Sequence, residues 1–430
     1  MECELRPLKE LCSLIADCPH STPVWTESGH VVIRNQNIKG GRLDLSSPSF
    51  TDALHFAHRI RRARPVAGDI IFTREAPMGE VCMIPSGLEC CVGQRQVLLR
   101  PNPDVVNGRF LLFALQSPQV QHQIGWNEGT GSTVSNVRIP VLEALRIPTP
   151  SLGTQNAIAA VLGVLDDRID LLRQTNATLE SIAQAIFKSW FIDFDPVRAK
   201  AEGRAPEGMD AATAALFPAE FEESTLGLIP KGWAVRSLDS FATYLNGLAL
   251  QKFPPESDEE FLPVIKIAQL RAGNTKGADK ASARLRPEYV VHDGDVLFSW
   301  SGSLEVELWC GDDGALNQHL FKVTSSEVPK WFYYLATKHF LPNFREIAAH
   351  KATTMGHIQR GHLREARIAM PSAELLNALS SLMSPLVERR VTGALHAREL
   401  AAVRDALLPR LISGALRLPD ALGQAEEART

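Results

Sequence analysis

No Gly-Lys-Ser or Gly-Lys-Thr occurs in these 430 residues, and neither Glu-x-Lys nor Asp-x-Lys is found. The first absence removes the phosphate-cradling loop of an ATP-driven motor. The second removes the acid and lysine with which common metal-dependent nucleases hold a metal and orient water. A glycine-rich cofactor loop after a strand is also missing, as is the Asn-Pro-Pro-aromatic or Asp-Pro-Pro-aromatic loop of an amino-methylating enzyme. Asp193-Phe194-Asp195-Pro196 imitates the latter but lacks the second proline, and Gly129–Thr133 is glycine-rich without a lysine. No catalytic residue and no cofactor are therefore expected.

The seven cysteines include no C-x-x-C pair and have no histidine pair at zinc spacing beside them. Neither a disulfide framework nor a metal site is expected, and Cys90 and Cys91 read as reduced core thiols. Long apolar runs are lacking too: Ile158–Leu165 is broken at once by Asp166 and Asp167, too short to span a bilayer. Met1–Arg6 carries charge and no apolar signal core, which places the chain in the cytoplasm as an expectation. A net charge of -4 argues against a free-standing DNA binder, because affinity for the duplex comes from cations that neutralise phosphates. Either positive charge is gathered on one face or a partner supplies it.

What the chain does have is itself, twice. Thr133, Val137, Leu142, Arg146, Ile147, Pro150 and Ser151 recur as Thr354, Ile358, Leu363, Arg367, Ile368, Pro371 and Ser372, at a constant offset of about 221 residues. Gly68-Asp69-Ile70-Ile71-Phe72 matches Gly294-Asp295-Val296-Leu297-Phe298, and Gln94 matches Gln318, at drifting offsets. Each half thus has a length-variable front and a fixed back. The fronts, 1–150 and 230–371, read as mixed α/β units. Val31–Ile33, Asp69–Thr73, Glu80–Ile84 and Val97–Arg100 are expected as strands and Gly108–Gln116 as a helix, with Leu262–Ile267, Asp295–Trp300 and Leu320–Val323 as strands of the second copy.

The backs, 151–193 and 372–414, read as long helices with a heptad seam; 194–229 is a connector and 415–430 a flexible tail. Ile158, Leu162, Leu165, Ile169, Leu172, Asn176, Leu179, Ala183, Ile186 and Trp190 alternate spacings of four and three. A helix of about 35 residues would be on the order of 50 Å long. Asn176 is the one polar residue of the seam, either fixing register against a partner helix or facing solvent. The second copy keeps Leu379, Leu382, Met383, Leu386, Leu400, Leu407 and Leu411, but has Arg390 and Gly393 where the first has Ile169 and Leu172. Two such seams in one chain most simply pair with each other, antiparallel, giving a pseudo-twofold molecule.

Bases are read by side chains that donate and accept in pairs, Arg and Lys to guanine, Asn and Gln to adenine. Arg34, Asn35, Gln36, Asn37 and Lys39 follow a predicted strand, and Lys266, Gln269, Arg271, Asn274 and Lys276 occupy the same place in the second front. These are the candidate base contacts, and Arg59, Arg61, Arg62 and Arg64 the candidate phosphate contacts. Lys252, in an early loop of the second front, is a further candidate, as are Ser132, Thr133, Lys351, Thr353 and Thr354 just before the long helices. Gln94 and Asn317-Gln318 recur in both halves and are expected to serve the shared fold. For any single residue the bland alternative is a solvated polar loop.

Three segments carry a resemblance to a known family: Val161–Asp170 with Phe187–Arg198, Pro230-Lys231-Gly232-Trp233, and Leu407–Gly414. They resemble the central conserved region, the opening of a target-recognition domain and the C-terminal signature of specificity subunits of Type I restriction-modification systems. The resemblance implies two target-recognition domains, each reading one half of a split, asymmetric site in double-stranded DNA, separated and joined by two long antiparallel coiled-coil helices. It also implies two modification subunits that bring S-adenosylmethionine and adenine methylation, and restriction subunits that add ATP-dependent translocation and cleavage. One departure is the first front, which starts at Leu5-Arg6-Pro7-Leu8 without its own Pro-Lys-Gly-Trp. The alternative, a divergent methyltransferase or restriction enzyme with its own activity, would bind S-adenosylmethionine directly.

Overall fold

The structure is a computed structural model and describes residues 4–125, 136–350 and 356–416. It divides into two compact units, residues 1–169 with 398–430, and residues 170–397.

In the first unit a four-stranded antiparallel sheet has the order Cys12–Asp17, Gln96–Pro101, Ile70–Thr73, Val81–Met83. Beside it, Ser49–Thr51, His30–Ile33 and Cys90–Val92 form a three-stranded sheet whose last pair is parallel. Glu4–Pro7 pairs with Arg146–Thr149, so the start of the front is closed by its end. The second unit repeats these pairings and adds one strand, Val290–Val291, beside Gly314–Leu316. Thr243–Asn246, Leu320–Thr324, Val296–Ser299 and Val306–Leu308 form the four-stranded sheet. Leu262–Ile265 lies between Lys280–Ala281 and a parallel Gly314–Leu316, and Ala234–Ser237 pairs with Arg367–Met370.

The central strands Ile70–Thr73 and Val296–Ser299 are buried along their whole length, which is why their sequences run apolar instead of alternating. The Gly-Asp pair before each of them is a turn device. Gly68 and Gly294 both take φ +86, in the left-handed region that costs glycine little. The following carboxylates accept the N–H groups of Val66 and His292, closing the turn. Asp69 also takes two bonds of 2.8 Å from Arg100 on the neighbouring strand, while Asp295 pairs with Lys322 at 2.7 Å. The sequence expectation for these strands and for the Gly108–Gln116 helix matches the structure within a residue or two. Leu262–Ile267 is corrected: the strand stops at Ile265 and Ile267 begins a helix, because Oε1 of the Gln269 side chain accepts the Lys266 N–H and turns the chain.

Leu152–Phe191 and Ala373–Ile412 are continuous helices of 40 residues each, about 60 Å at 1.5 Å per residue and longer than the heptads alone suggested. The helices pack against each other within each unit. In the first, Ile158, Leu162, Leu165 and Ile169 are buried, as are Leu400 and Leu407 of the second helix. In the second unit Leu379 is buried, and Leu172, Asn176, Leu179, Ile186 and Leu386 are partly so. Leu382 is corrected: it is 44% exposed, because the buried line passes through Leu379, Met383 and Val387 and leaves Leu382 turned away from it.

The weak middle of the second copy has a partner in the first. A Cβ at Gly393 would lie 2.4 Å from Asn176 Oδ1, so the seam's one amide sits where the facing helix carries no side chain. One turn further along, Arg390 meets Glu180 at 2.8 Å, and the falling number against the rising one makes the pair antiparallel. Lys338 at 3.0 Å, the Tyr334 hydroxyl at 2.8 Å and the Gln184 amide at 2.7 Å also reach that carboxylate, and Glu307 takes Nη2 of Arg390. Burial opposes ionisation of Glu180, yet the ammonium of Lys338 and the guanidinium of Arg390 hold its carboxyl below the usual range. In the first unit Asp166 plays the corresponding part, receiving Arg404 of the second helix and Arg42 of the front. Among the described residues no helix is long and apolar enough to cross a membrane, and no group of three His, Cys, Asp or Glu is placed to hold a metal.

Candidate nucleic-acid interface

In both units the candidate loop begins where the strand that carries the parallel pairing ends, His30–Ile33 in the first and Leu262–Ile265 in the second. In the first, His30–Ile33 delivers Arg34, and Asn35–Asn37 forms one turn of 3-10 helix. That turn is held from inside by its own amides. Asn37, 2% exposed, accepts the Arg34 N–H at 2.9 Å and donates to the carbonyls of Asp44 and Ser47. Asn35 donates to the Glu75 carbonyl and accepts from Gln96 Nε2 at 3.0 Å. Asn37 is therefore corrected from base reader to brace, since its pairing capacity is used within the loop. Arg34, Gln36 and Lys39 are exposed, and among the described residues neither Gln36 nor Lys39 has a side-chain partner.

The arginine cluster separates in the same way. Arg59 is 4% exposed and donates to the carbonyls of Val92, Ser21 and Pro19, so it ties the early loop to the sheet. It is corrected from phosphate contact to loop clamp. Arg62 leans on the Asp17 carbonyl and Arg64 pairs with Glu89, both at the surface. Arg61 is exposed with no side-chain partner among the described residues. Gln94 donates to the His20 carbonyl and to the Thr22 hydroxyl. Asn317 is 4% exposed and accepts the His319 N–H. Both thus serve the framework, in keeping with their recurrence.

The second unit repeats the geometry with other residues. After Leu262–Ile265 comes Lys266, whose N–H is accepted by Gln269 at 3.3 Å as Arg34's is by Asn37. Lys266 itself pairs with Asp279, and Asn274 closes its own turn through the Ala272 carbonyl and the Lys276 N–H. Arg271, Lys276 and Lys252 are exposed and have no side-chain partner among the described residues. Ser132, Thr133, Lys351, Thr353 and Thr354 lie outside the described residues.

Each unit therefore shows a braced loop beside a strand end, with uncommitted cations aimed at water: Lys39 and Arg61 in one, Lys252, Arg271 and Lys276 in the other. Trp25 was missed from the sequence. It is 43% exposed, and the Arg34 guanidinium lies over its ring at 4.9 Å. A lone tryptophan among Thr, Pro, Glu and Ser was the available signal.

The profile of the Type I restriction modification DNA specificity domain matches residues 25–181 and again 230–386. The chain belongs to that family. Each specificity-domain match takes in one braced loop and runs on into one long helix, through most of the first and the opening third of the second. Over 399 residues the chain is 25% identical to the Type I restriction enzyme HindI specificity subunit of Haemophilus influenzae, covering 81% of this chain and 86% of that one. It is 26% identical to the MjaIX specificity subunit of Methanocaldococcus jannaschii, covering 82% and 78%. A solved Type I restriction-modification system S subunit from M. genitalium is 15% identical with a TM-score of 0.48, covering 95% of each chain.

Proposed function

We propose that this chain is the sequence-reading subunit of a Type I restriction-modification complex, in which each specificity domain reads one half of a split, asymmetric site in double-stranded DNA. The observation that carries the reading is the braced loop built twice on one strand pairing, with Arg34, Gln36 and Lys39 displayed in one copy and Arg271 and Lys276 in the other. A shared framework with different displayed side chains is what two different half-sites require.

The domain boundaries follow the same logic: 1–150 and 230–371 as readers, 151–193 and 372–414 as spacer helices, 194–229 as connector and 415–430 as tail. The paired helices set the gap between half-sites and seat two modification subunits. Those subunits bring S-adenosylmethionine and adenine methylation, restriction subunits bring ATP-dependent translocation and cleavage, and the complex works in the cytoplasm. Phosphate contact falls to Arg61, Arg62 and Arg64, and to the partners, which accounts for a reader with a net charge of -4. Ser132, Thr133, Lys351, Thr353 and Thr354 remain candidates for gripping the backbone through hydroxyls and amides.

The test is methylation by the chain combined with its modification subunit, with the purified chain alone as control. The expected result is a gapped, two-part methylated site with the complex and no methyl transfer or S-adenosylmethionine binding by the chain alone. Direct binding of that cofactor by the chain would favour an enzyme instead.

A further inference from the structure

Of the candidate cations among the described residues, Arg34 alone is both seated on an aromatic ring and left with an unspent edge. Its guanidinium lies over the exposed Trp25 ring at 4.9 Å, and Nη1 reaches Ser49 Oγ at 3.5 Å. No carboxylate pairs with it among the described residues, and its Nε–Nη2 edge has no partner there.

Both members of the pair stand beside hydrogen-bonded backbone. The Arg34 N–H donates to Oδ1 of the Asn37 side chain at 2.9 Å. Trp25 is pinned on both sides: the Val24 carbonyl accepts from the fully buried Thr51 hydroxyl at 2.7 Å, and the Thr26 N–H donates to the Phe50 carbonyl at 3.1 Å. Gly29 lets the segment pass close to that strand, since a Cβ there would lie 2.5 Å from the Thr51 carbonyl oxygen. Thr51 and Ser49 belong to the strand that pairs with His30–Ile33, which delivers Arg34. Tryptophan, arginine and serine are thus three points of one small sheet.

A guanidinium seated over an aromatic ring and tied at one nitrogen has fewer orientations to lose when it binds. A planar two-donor edge presented in that way matches the O6 and N7 acceptors of guanine in the major groove. We propose that Trp25 is a positioning residue that holds Arg34 for bidentate reading of one guanine in the half-site read by the first unit. This rests on the half-site reading above.

The test is initial methylation rate by the full complex on a set of duplexes in which each base pair of the site is changed in turn. Arg34→Ala is expected to lose about tenfold or more of the discrimination at one G·C pair and little elsewhere. Arg34→Lys is expected to lose it as well while keeping the salt dependence, because the charge remains and the fork does not. Trp25→Ala should blunt discrimination at the same pair, Trp25→Phe should restore most of it, and the double Ala variant should be no worse than Arg34→Ala. Thermal unfolding of Trp25→Ala and Trp25→Phe checks that the unit still folds.

Trp25→Ala with unchanged preference at every position overturns the proposal. So does a loss equal on all duplexes with a shallower salt dependence, which marks a phosphate contact. If Arg34→Ala, Trp25→Ala and exchange of the whole 34–39 segment all leave the methylated sites unaltered, the half-site reading itself fails, along with the pair.

Discussion

The two units use one turn motif under different electrostatic conditions. Asp69 has its side chain 1% exposed and is gripped by two N–H groups of Arg100, whereas Asp295 is 22% exposed and meets a single ammonium, that of Lys322. The same Gly-Asp-aliphatic-Phe sequence thus closes the same turn, but only in the first unit does it seal a carboxylate away from water. The shared motif belongs to the framework; what distinguishes the units lies at the strand ends, where Arg34 stands on Trp25 in one and Lys266 pairs with Asp279 in the other.

The largest expected effects make the units equal. Phe72→Ala and Phe298→Ala each remove a ring with no exposed surface from a central strand, and each should cost about 3–5 kcal/mol in denaturant unfolding of its own unit. A marked inequality between them would break the equivalence of the frameworks. Next comes the contrast itself. Asp69→Asn should cost about 3 kcal/mol, the low end for breaking a buried pair because Arg100 is partly open to water. Asp295→Asn should cost about 1–2 kcal/mol.

Gly393→Ala puts a methyl where the Asn176 amide lies and should cost about 1 kcal/mol, the low end for overpacking because the amide can swing aside, with much of the loss recovered in Gly393→Ala combined with Asn176→Ala. Additive losses would show that the amide and the glycine do not meet.

A smaller effect is pH-dependent. The folded state holds Glu180 below its ordinary value of 4.5, so the stability it contributes is full above that value and fades as pH falls through the lower folded one. Glu180→Gln should therefore narrow its stability gap from the wild-type chain on acidification below about pH 4.5, and be independent of pH above it. Smallest of all, Arg61→Ala should change stability by no more than about 0.5 kcal/mol. It should weaken DNA binding alike on all sequences and lower the salt slope by about one.

Much of this architecture can be read from the chain. The repeat shows as a constant offset along the chain, and the apolar runs at Ile70–Phe72 and Val296–Phe298 and the heptad spacing from Ile158 are local patterns. Tertiary partnership is another matter. Asn37 and Gln36 look alike in sequence, but one folds back onto the carbonyls of Asp44 and Ser47 and the other stays in water. Arg59 sits one helical turn from exposed neighbours, and only the approach of Pro19, Ser21 and Val92 makes it a clamp. Leu382 and Met383 are adjacent apolar residues, and which of them enters the seam depends on the facing surface. The parallel pairing of His30–Ile33 with Cys90–Val92 joins segments nearly sixty residues apart in the chain, and no short-range pattern announces it.

The central claim is that each unit reads its own half of a split site. Its most direct test is the map of methylated adenines in cells that carry this chain and its modification subunit, with residues 34–39 native or exchanged for those of another specificity subunit. The expected result is a change in one half-site, with the other half and the gap unchanged. A site that changes in both halves, or in neither, would contradict the account.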